Sequence, residues 1–328
     1  MTGMGKYIIL LLIGSVAFAA LFFYLGYRNF HEEGPIDQNT AYFLPKGQAV
    51  IRTAWELEEN GFITDQDIFR LGVKLSGFDR NLQAGEFVIP SGASMFDIMM
   101  ILSSGKVIQH RLTIIEGWTS WQIAEYLNGI ENLTNPITNL PREGSILPET
   151  YLYTKNTTRH NLIRRMQMRQ LDLLDALWQK RAEDLPFLSV EDALILASIV
   201  EKETAKSGER AHIAGVFINR LRKNMRLQTD PTVIYGLDRK GYIDRPLRKS
   251  DLKSDNPYNT YKIRGLPPTA IAHPGRASIE AVLQPLKTDD LYFVADGSGG
   301  HAFASSLREH LQNVKKWRRI EKLKRQKN

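Results

Sequence analysis

Cysteine is absent from this chain. That removes disulfides, zinc–thiolate centres and cysteine nucleophiles from consideration. Taken alone, the absence does not assign a compartment, although cysteine-poor chains are common where oxidation threatens a free thiol. Histidine is scarce as well: there are 7, with no His-x-x-x-His spacing, so no metal site and no cofactor is expected. There is no Gly-x-Ser-x-Gly elbow, P-loop or dinucleotide fingerprint. The net charge of +7 invites a nucleic-acid reading, but no zinc finger, RRM or helix-turn-helix signature accompanies it, and nucleic acid is not expected as a partner. What remains is a folded chain, 43% apolar and 24% charged, whose 328 residues suggest two domains with accessory segments.

Long apolar runs are also few, and one dominates. Tyr7 to Tyr27 carries no charge and is flanked by Lys6 and Arg28. Such a run is long enough to cross ~30 Å of hydrocarbon as a helix. Ala17-Phe-Ala19 resembles a signal-peptidase site, but Leu21-Phe-Phe-Tyr-Leu25 continues the run beyond it, so an uncleaved single-pass anchor is expected. Lys6 and the amino terminus on one side, against Arg28 on the other, lean toward a cytoplasmic N-terminus with the bulk of the chain outside. At the other end, Lys315 to Lys327 holds eight Lys/Arg against the single Glu321. It could attract an anionic polymer or a membrane surface, but a solvated helical tail is the ordinary reading of such a run.

Periodicity divides the rest into an α+β organisation. After a tail (1–6), the anchor (7–27) and a polar linker (28–39), a small α+β module is expected over 40–127. Its units are helices at 47–61 and 65–75, a strand at 85–90, a helix at 94–103, a strand at 107–115 and a helix at 120–127. Asp65 is a plausible N-cap, with Ile68, Leu71, Val73 and Leu75 as apolar positions. The Gly85-Glu-Phe-Val-Ile-Pro90 and Ser94-Met-Phe-Asp-Ile-Met99 steps look similar to LysM-type carbohydrate-binding modules; a plain spacer domain is the alternative. A connection over 128–148 leads to a larger α+β domain at 149–314, followed by the basic tail at 315–328. In that domain Thr158 to Leu185 reads as one amphipathic helix with Leu162, Met166, Leu173, Leu174 and Leu177 inward. Leu291 to Ala295 reads as a buried strand.

Chemistry concentrates after Ser189-Val-Glu-Asp192, a helix start with capping-box spacing. The apolar stretch Ala193 to Val200 ends in Glu201-Lys202-Glu203. A carboxylate at the end of a buried stretch can have its pKa raised by desolvation, as a general acid near neutral pH requires. At about 100° per residue, Glu201 follows Leu194, Ala197 and Ser198, whereas Glu203 follows Leu196, Ile199 and Val200. Both faces are apolar, so periodicity does not choose between them, and two acids simply leaving the core is the bland reading. Downstream, Gln228-Thr229-Asp230-Pro231 offers amide, hydroxyl and carboxylate groups suited to sugars, or else Asp230 caps a helix with Pro231 at its first position. Tyr258-Asn259-Thr260-Tyr261 offers two rings that could stack on sugars. His273, beside Pro274, reads as structural.

Leu196 to Thr204, Val216-Phe-Ile-Asn219-Arg-Leu221, Met225 to Gly236, Tyr258 to Tyr261, Gly265-Leu-Pro-Pro268 and Leu291 to Gly297 together resemble the endolytic murein transglycosylases of the YceG-like family. The resemblance implies an inner-membrane enzyme acting outside the cytoplasm on peptidoglycan glycan strands, with peptidoglycan synthases as candidate partners. It implies cleavage of the β-1,4 bond between N-acetylmuramic acid and N-acetylglucosamine, leaving 1,6-anhydro ends without water. It puts the catalytic glutamate at Glu201, in an apolar surround that keeps it protonated. Gln228, Thr229, Asp230, Tyr258, Asn259 and Tyr261 are candidate substrate contacts. Glu203 and Asn219 are supporting residues, with Arg210 a cation that Glu203 could pair. The alternative function is a non-catalytic, membrane-anchored peptidoglycan-binding scaffold.

Overall fold

The computed structural model of the chain describes residues 3–187 and 189–327. Met1 and Thr2 of the expected tail, and Asn328 of the basic tail, lie outside them. The fold mixes helices with short two-stranded sheets and forms two compact units.

The first unit comprises Met1–His110 with Leu152–Lys155. It begins with helix α1 (Gly3–His31), whose apolar body is exposed along its length and is long and apolar enough to cross a membrane. Strand β1 (Thr40–Leu44) pairs antiparallel with β2 (Gly85–Ile89), Thr40 opposite Ile89 and Leu44 opposite Gly85. Between them lie α2 (Val50–Glu59) and α3 (Gln66–Leu75), and α4 (Met95–Ser103) follows β2. The caps are those the residues prescribe. The Asp65 carboxylate accepts from the N–H groups of Asp67 and Ile68 at 2.9 Å each. Ser94 and Asp97 form a reciprocal capping box. Leu57, Phe69, Phe87, Ile98, Met99 and Leu102 are fully buried at the centre.

The second unit comprises Arg111–Tyr151 with Asn156–Asn328. Strand β3 (His110–Thr113) leads to α5 (Ser120–Asn128), β4 (Leu133–Thr134), β5 (Thr150–Tyr153) and β6 (Thr157–Thr158). Helices α6 (Arg159–Trp178), α7 (Val190–Glu203), α8 (Arg210–Arg222), α9 (Asp230–Leu237) and α10 (Arg276–Leu283) follow. An antiparallel ribbon, β7 (Tyr292–Ala295) with β8 (His301–Ala304), precedes the terminal α11 (Leu307–Lys327). Every residue of α7 from Ala193 to Val200 is buried, as expected of a helix apolar all round. It packs on α8 and α10, through Ile213, Ala214, Phe217, Ile279 and Val282 among others. That burial fixes the position of its C-terminal end. Arg159, at the first turn of α6, ties down the C-terminus of α5 by donating to the carbonyls of Leu127, Asn128, Ile130 and Leu133 at 2.6–3.2 Å.

Several boundaries differ from those read from periodicity. The N-terminal stretch of the first unit runs to His110, not 127, and α5 belongs with the second. The reason is long-range: Thr119 donates to the carbonyl of Lys240 and Ser120 bonds His273, partners far along the chain. The expected connection 128–148 contains buried Leu133, Ile146 and Leu147, so it is part of the core. The helix expected to reach Leu185 stops at Trp178, and the first module helix spans only Val50–Glu59. Strand β7 is half-buried along its length, because its ribbon has only two strands. The basic tail is not a separate segment. It continues α11, which packs on β7 and β8, with Tyr292 stacked on His310.

Candidate active site

The end of α7 sets the site. The Glu201 side chain is only 5% exposed and accepts two hydrogen bonds. Arg210 Nη2, from the first residue of α8, donates to Oε1 at 3.2 Å. The N–H of Gly275, the N-cap of α10, donates to Oε2 at 2.9 Å. The carboxylate therefore sits at a helix N-terminus and beside a guanidinium. The apolar surround expected of it is corrected: the helix below is apolar, but the carboxylate itself faces charge and a backbone donor. Arg210 pairs with Glu201 and not, as expected, with Glu203.

A second carboxylate shares the same guanidinium. Glu116 Oε2 lies 3.6 Å from Arg210 Nη2, and this side chain is far more open to solvent than Glu201. Desolvation, joined by the Glu201 charge, raises the Glu116 carboxyl above its ordinary value, against the pull of Arg210. Its loop is pinned in both directions to His273: Gly117 N–H donates to the His273 carbonyl at 2.9 Å and His273 N–H to that of Trp118 at 2.8 Å. A Cβ at Gly275 would meet the Glu116 carboxylate, so a side chain there would displace Glu116 from this position. Sequence reasoning missed Glu116, which stood only as a residue before a glycine at a helix start. Arg210 keeps one further group: its buried Nε–H has no partner among the described residues.

Glu203 occupies a different environment. It accepts from the Thr229 hydroxyl, and desolvation raises its carboxyl above the ordinary value, with Asp230 adding to the effect. Around it the two downstream motifs, read separately in the sequence, bond to each other. Thr229 N–H donates to Thr260 Oγ1 at 3.0 Å, Gln228 N–H to the Thr260 carbonyl at 3.2 Å, and the Tyr261 hydroxyl to Asp230 at 2.7 Å. Asp230 is itself the first residue of α9 and Thr229 its N-cap position; Thr229 spends its hydroxyl on Glu203 instead of capping.

Not all the candidates line an open surface. Asn259 is 0% exposed. Its amide donates to the carbonyls of Asp251, Leu252 and Ser254 while its oxygen accepts from Tyr261 N–H, so it staples a loop and has nothing left for a sugar. Tyr258 is buried too, its hydroxyl bonded to Thr269 and its ring under the guanidinium of Arg239. Asn219 holds the carbonyls of Thr288 and Asp290. Gln228 and Asp230 have exposed side chains. Burial, which local composition does not report, separates these two groups. Lys202, between the two glutamates in the chain, lines an open cavity of about 400 Å³ together with Asp230, Tyr242, Arg245, Leu247 and Ile271. Among the described residues, no three His, Asp or Glu side chains gather where they could hold one metal ion.

The model of the YceG-like family matches residues 42–316. The chain belongs to the YceG-like family. An endolytic murein transglycosylase of Bacillus subtilis (strain 168) is 33% identical over 306 residues, which cover 84% of this chain and 83% of that protein. The endolytic murein transglycosylase of Streptococcus pneumoniae (strain R6) is 28% identical over 85% of this chain, a match that spans 59% of that longer protein. A crystal structure of a yceG-like protein from Listeria monocytogenes, 30% identical, superposes with a TM-score of 0.52 over 84% of this chain and 98% of that one.

Behind the site, the YceG-like chain buries a polar cluster. His273 is fully buried; its Nδ1 accepts from Ile146 N–H and its Nε2 lies 3.0 Å from Ser120 Oγ and 3.5 Å from Glu143 Oε2. The structural reading of His273 holds. Burial pushes its imidazole down to about 3 and pushes the Glu143 carboxyl up to about 7. A carboxyl raised from its ordinary 4.5 holds its proton more tightly folded than unfolded, so its contribution is complete below about 4.5 and lost as pH rises through about 7. His273 runs the opposite way, contributing above its unfolded value of 6.5 and losing that as pH falls toward about 3. Comparing variant with parent isolates the carboxyl. Glu143→Gln should gain thermal stability relative to the parent between roughly pH 5 and 8, by ~1–3 kcal/mol, or a few degrees in Tm. A difference independent of pH in calorimetry would contradict this.

Proposed function

We propose that this YceG-like chain is an endolytic murein transglycosylase. It cleaves the β-1,4 bond between N-acetylmuramic acid and N-acetylglucosamine within nascent peptidoglycan strands, leaves 1,6-anhydro ends and so helps terminate glycan elongation. The carrying observation is the Glu201 carboxylate, nearly buried where α7, α8 and α10 meet and held by Arg210 and the Gly275 N–H, with its neighbour Lys202 in the wall of an open cavity. The kinship favours an enzyme over the scaffold alternative. Glu201 protonates the leaving oxygen as the C1–O bond breaks. The sugar's own C6 hydroxyl then closes on C1 and returns its proton to Glu201, so no water is consumed. Gln228, Asp230 and Tyr261 lie on the motifs that flank the cavity and are the positioning candidates.

An acid must carry a proton, and Glu201 accepts hydrogen bonds at both oxygens. Glu116 supplies the way out. A guanidinium that leans toward Glu116 frees Oε1 of Glu201 for a proton and for the glycosidic oxygen. Glu203 is the second reading, because burial raises its carboxyl above the ordinary value. We place α1 in the cytoplasmic membrane with its N-terminus inside and the second unit outside, within reach of peptidoglycan synthases. The LysM-like reading of the first unit rests on the Gly85–Pro90 and Ser94–Met99 steps, which form β2 and the capped start of α4.

Digestion of purified peptidoglycan, with anhydromuropeptides counted by mass spectrometry, tests the assignment. Glu201→Gln should lose at least ~10²–10⁴-fold in rate with the fold intact, and Glu203→Gln should lose less. The reverse order would move the acid to Glu203. Glu116→Gln leaves Arg210 wholly to Glu201, so Oε1 is freed less readily and the rate of anhydromuropeptide release should fall with the fold intact. An unchanged rate would reduce Glu116 to a packing role.

A further inference from the structure

Helix α3 carries two apolar stripes. Phe69 and Val73 are fully buried in the core of the first unit. Ile68, Leu71 and Leu75 form a second stripe at helical spacing, with Leu71 46% and Leu75 68% exposed. A lone exposed leucine needs no explanation, but these are not alone. Together with Phe22, Phe23 and Tyr27 of α1 they line one open, mostly apolar cavity of about 580 Å³.

The two helices are held together, so their shared cavity is a fixed feature. Phe30 of α1 is 6% exposed, with its ring against Gly72 of α3, where any Cβ would collide with it. Thr64, just before α3, bonds Asn29 at 3.4 Å. Phe22 to Tyr27 belong to the segment whose length and apolarity suit a bilayer. Where that segment crosses a bilayer, a cavity with one wall in it faces acyl chains. Beside the stripe, Lys74 is exposed and Arg70 partly so, with Arg70 ion-paired at 2.9 Å to Asp67 on the preceding turn. Apolar residues on one side with cations beside them are the pattern of helices that lie in a membrane interface.

We propose that the Ile68–Leu71–Leu75 stripe of α3 lies in the outer membrane–water interface beside α1, with acyl chains filling the cavity between the two helices. The first unit is then attached to the bilayer by a spanning helix and an in-plane helix, not by a tether alone. This rests on the reading of α1 as a membrane span.

The absence of cysteine makes the test clean. Full-length Leu75→Cys and Phe18→Cys, each carrying one bimane label, are reconstituted in phosphatidylcholine–phosphatidylglycerol vesicles with ordinary or brominated acyl chains. Leu71→Cys serves as a second stripe position. The stripe labels should lose emission in brominated lipid, as the Phe18 label does. Quenching at Phe18 but not on the stripe would overturn the proposal while leaving the span in place. A stripe label shielded from both brominated lipid and aqueous iodide would mean that protein covers it, and would overturn the proposal equally. Quenching at neither helix would remove the span, and the proposal with it.

Discussion

The guanidinium of Arg210 lies within 4 Å of two carboxylates, the buried Glu201 and the more open Glu116, and the second unit is arranged around that contact. Burying a charge is costly unless it is paired and hydrogen-bonded. In this site the cation, two anions and the N-terminus of α10 share the cost. Each comes from a different part of the chain: a loop before α5, the end of α7, the start of α8 and the cap of α10. The arrangement exists only if those parts are held in register. The all-round burial of α7 does so for Glu201, the double backbone tie to His273 for Glu116, and the missing side chain at Gly275 lets the Glu116 carboxylate in.

Much of this was legible in the residues. The apolar run of α7, its Ser189 cap and the structural role of His273 follow from local chemistry, whereas the bonding of the Gln228–Pro231 motif to the Tyr258–Tyr261 motif does not. Partners distant in sequence did not. Glu116 and Arg210 each look like ordinary surface charges until the chain folds back on itself. Asn259 and Tyr258 have the right composition for sugar contacts, yet both are turned inward, because a polar loop must satisfy its own carbonyls before it can bind anything else. The choice between Glu201 and Glu203 was closed to periodicity, since both faces of α7 are apolar. Structure separates them by environment: a guanidinium and a helix N-terminus for one, a threonine hydroxyl and a neighbouring aspartate for the other.

The first unit shows the same division. The apolar positions of α3 were evident, but not that they split between a buried stripe and an exposed one. That split gives the small unit two relations to its surroundings, a core of its own and a greasy flank beside α1. Gly72 is where the two meet, since its lack of a side chain admits Phe30 and joins the anchor helix to the unit.

Two carboxylates around one cation also fit a hydrolase, in which Glu116 would serve as the second carboxylate of a glycosidase pair. In a transglycosylase one carboxylate suffices, and the sugar's own hydroxyl takes the place of water. Digesting purified peptidoglycan in ¹⁸O-enriched water and weighing the new muramic acid ends tests this directly. A transglycosylase built on Glu201 produces anhydro ends with no ¹⁸O in them. Reducing ends that carry the label would contradict it and identify the site as a hydrolase.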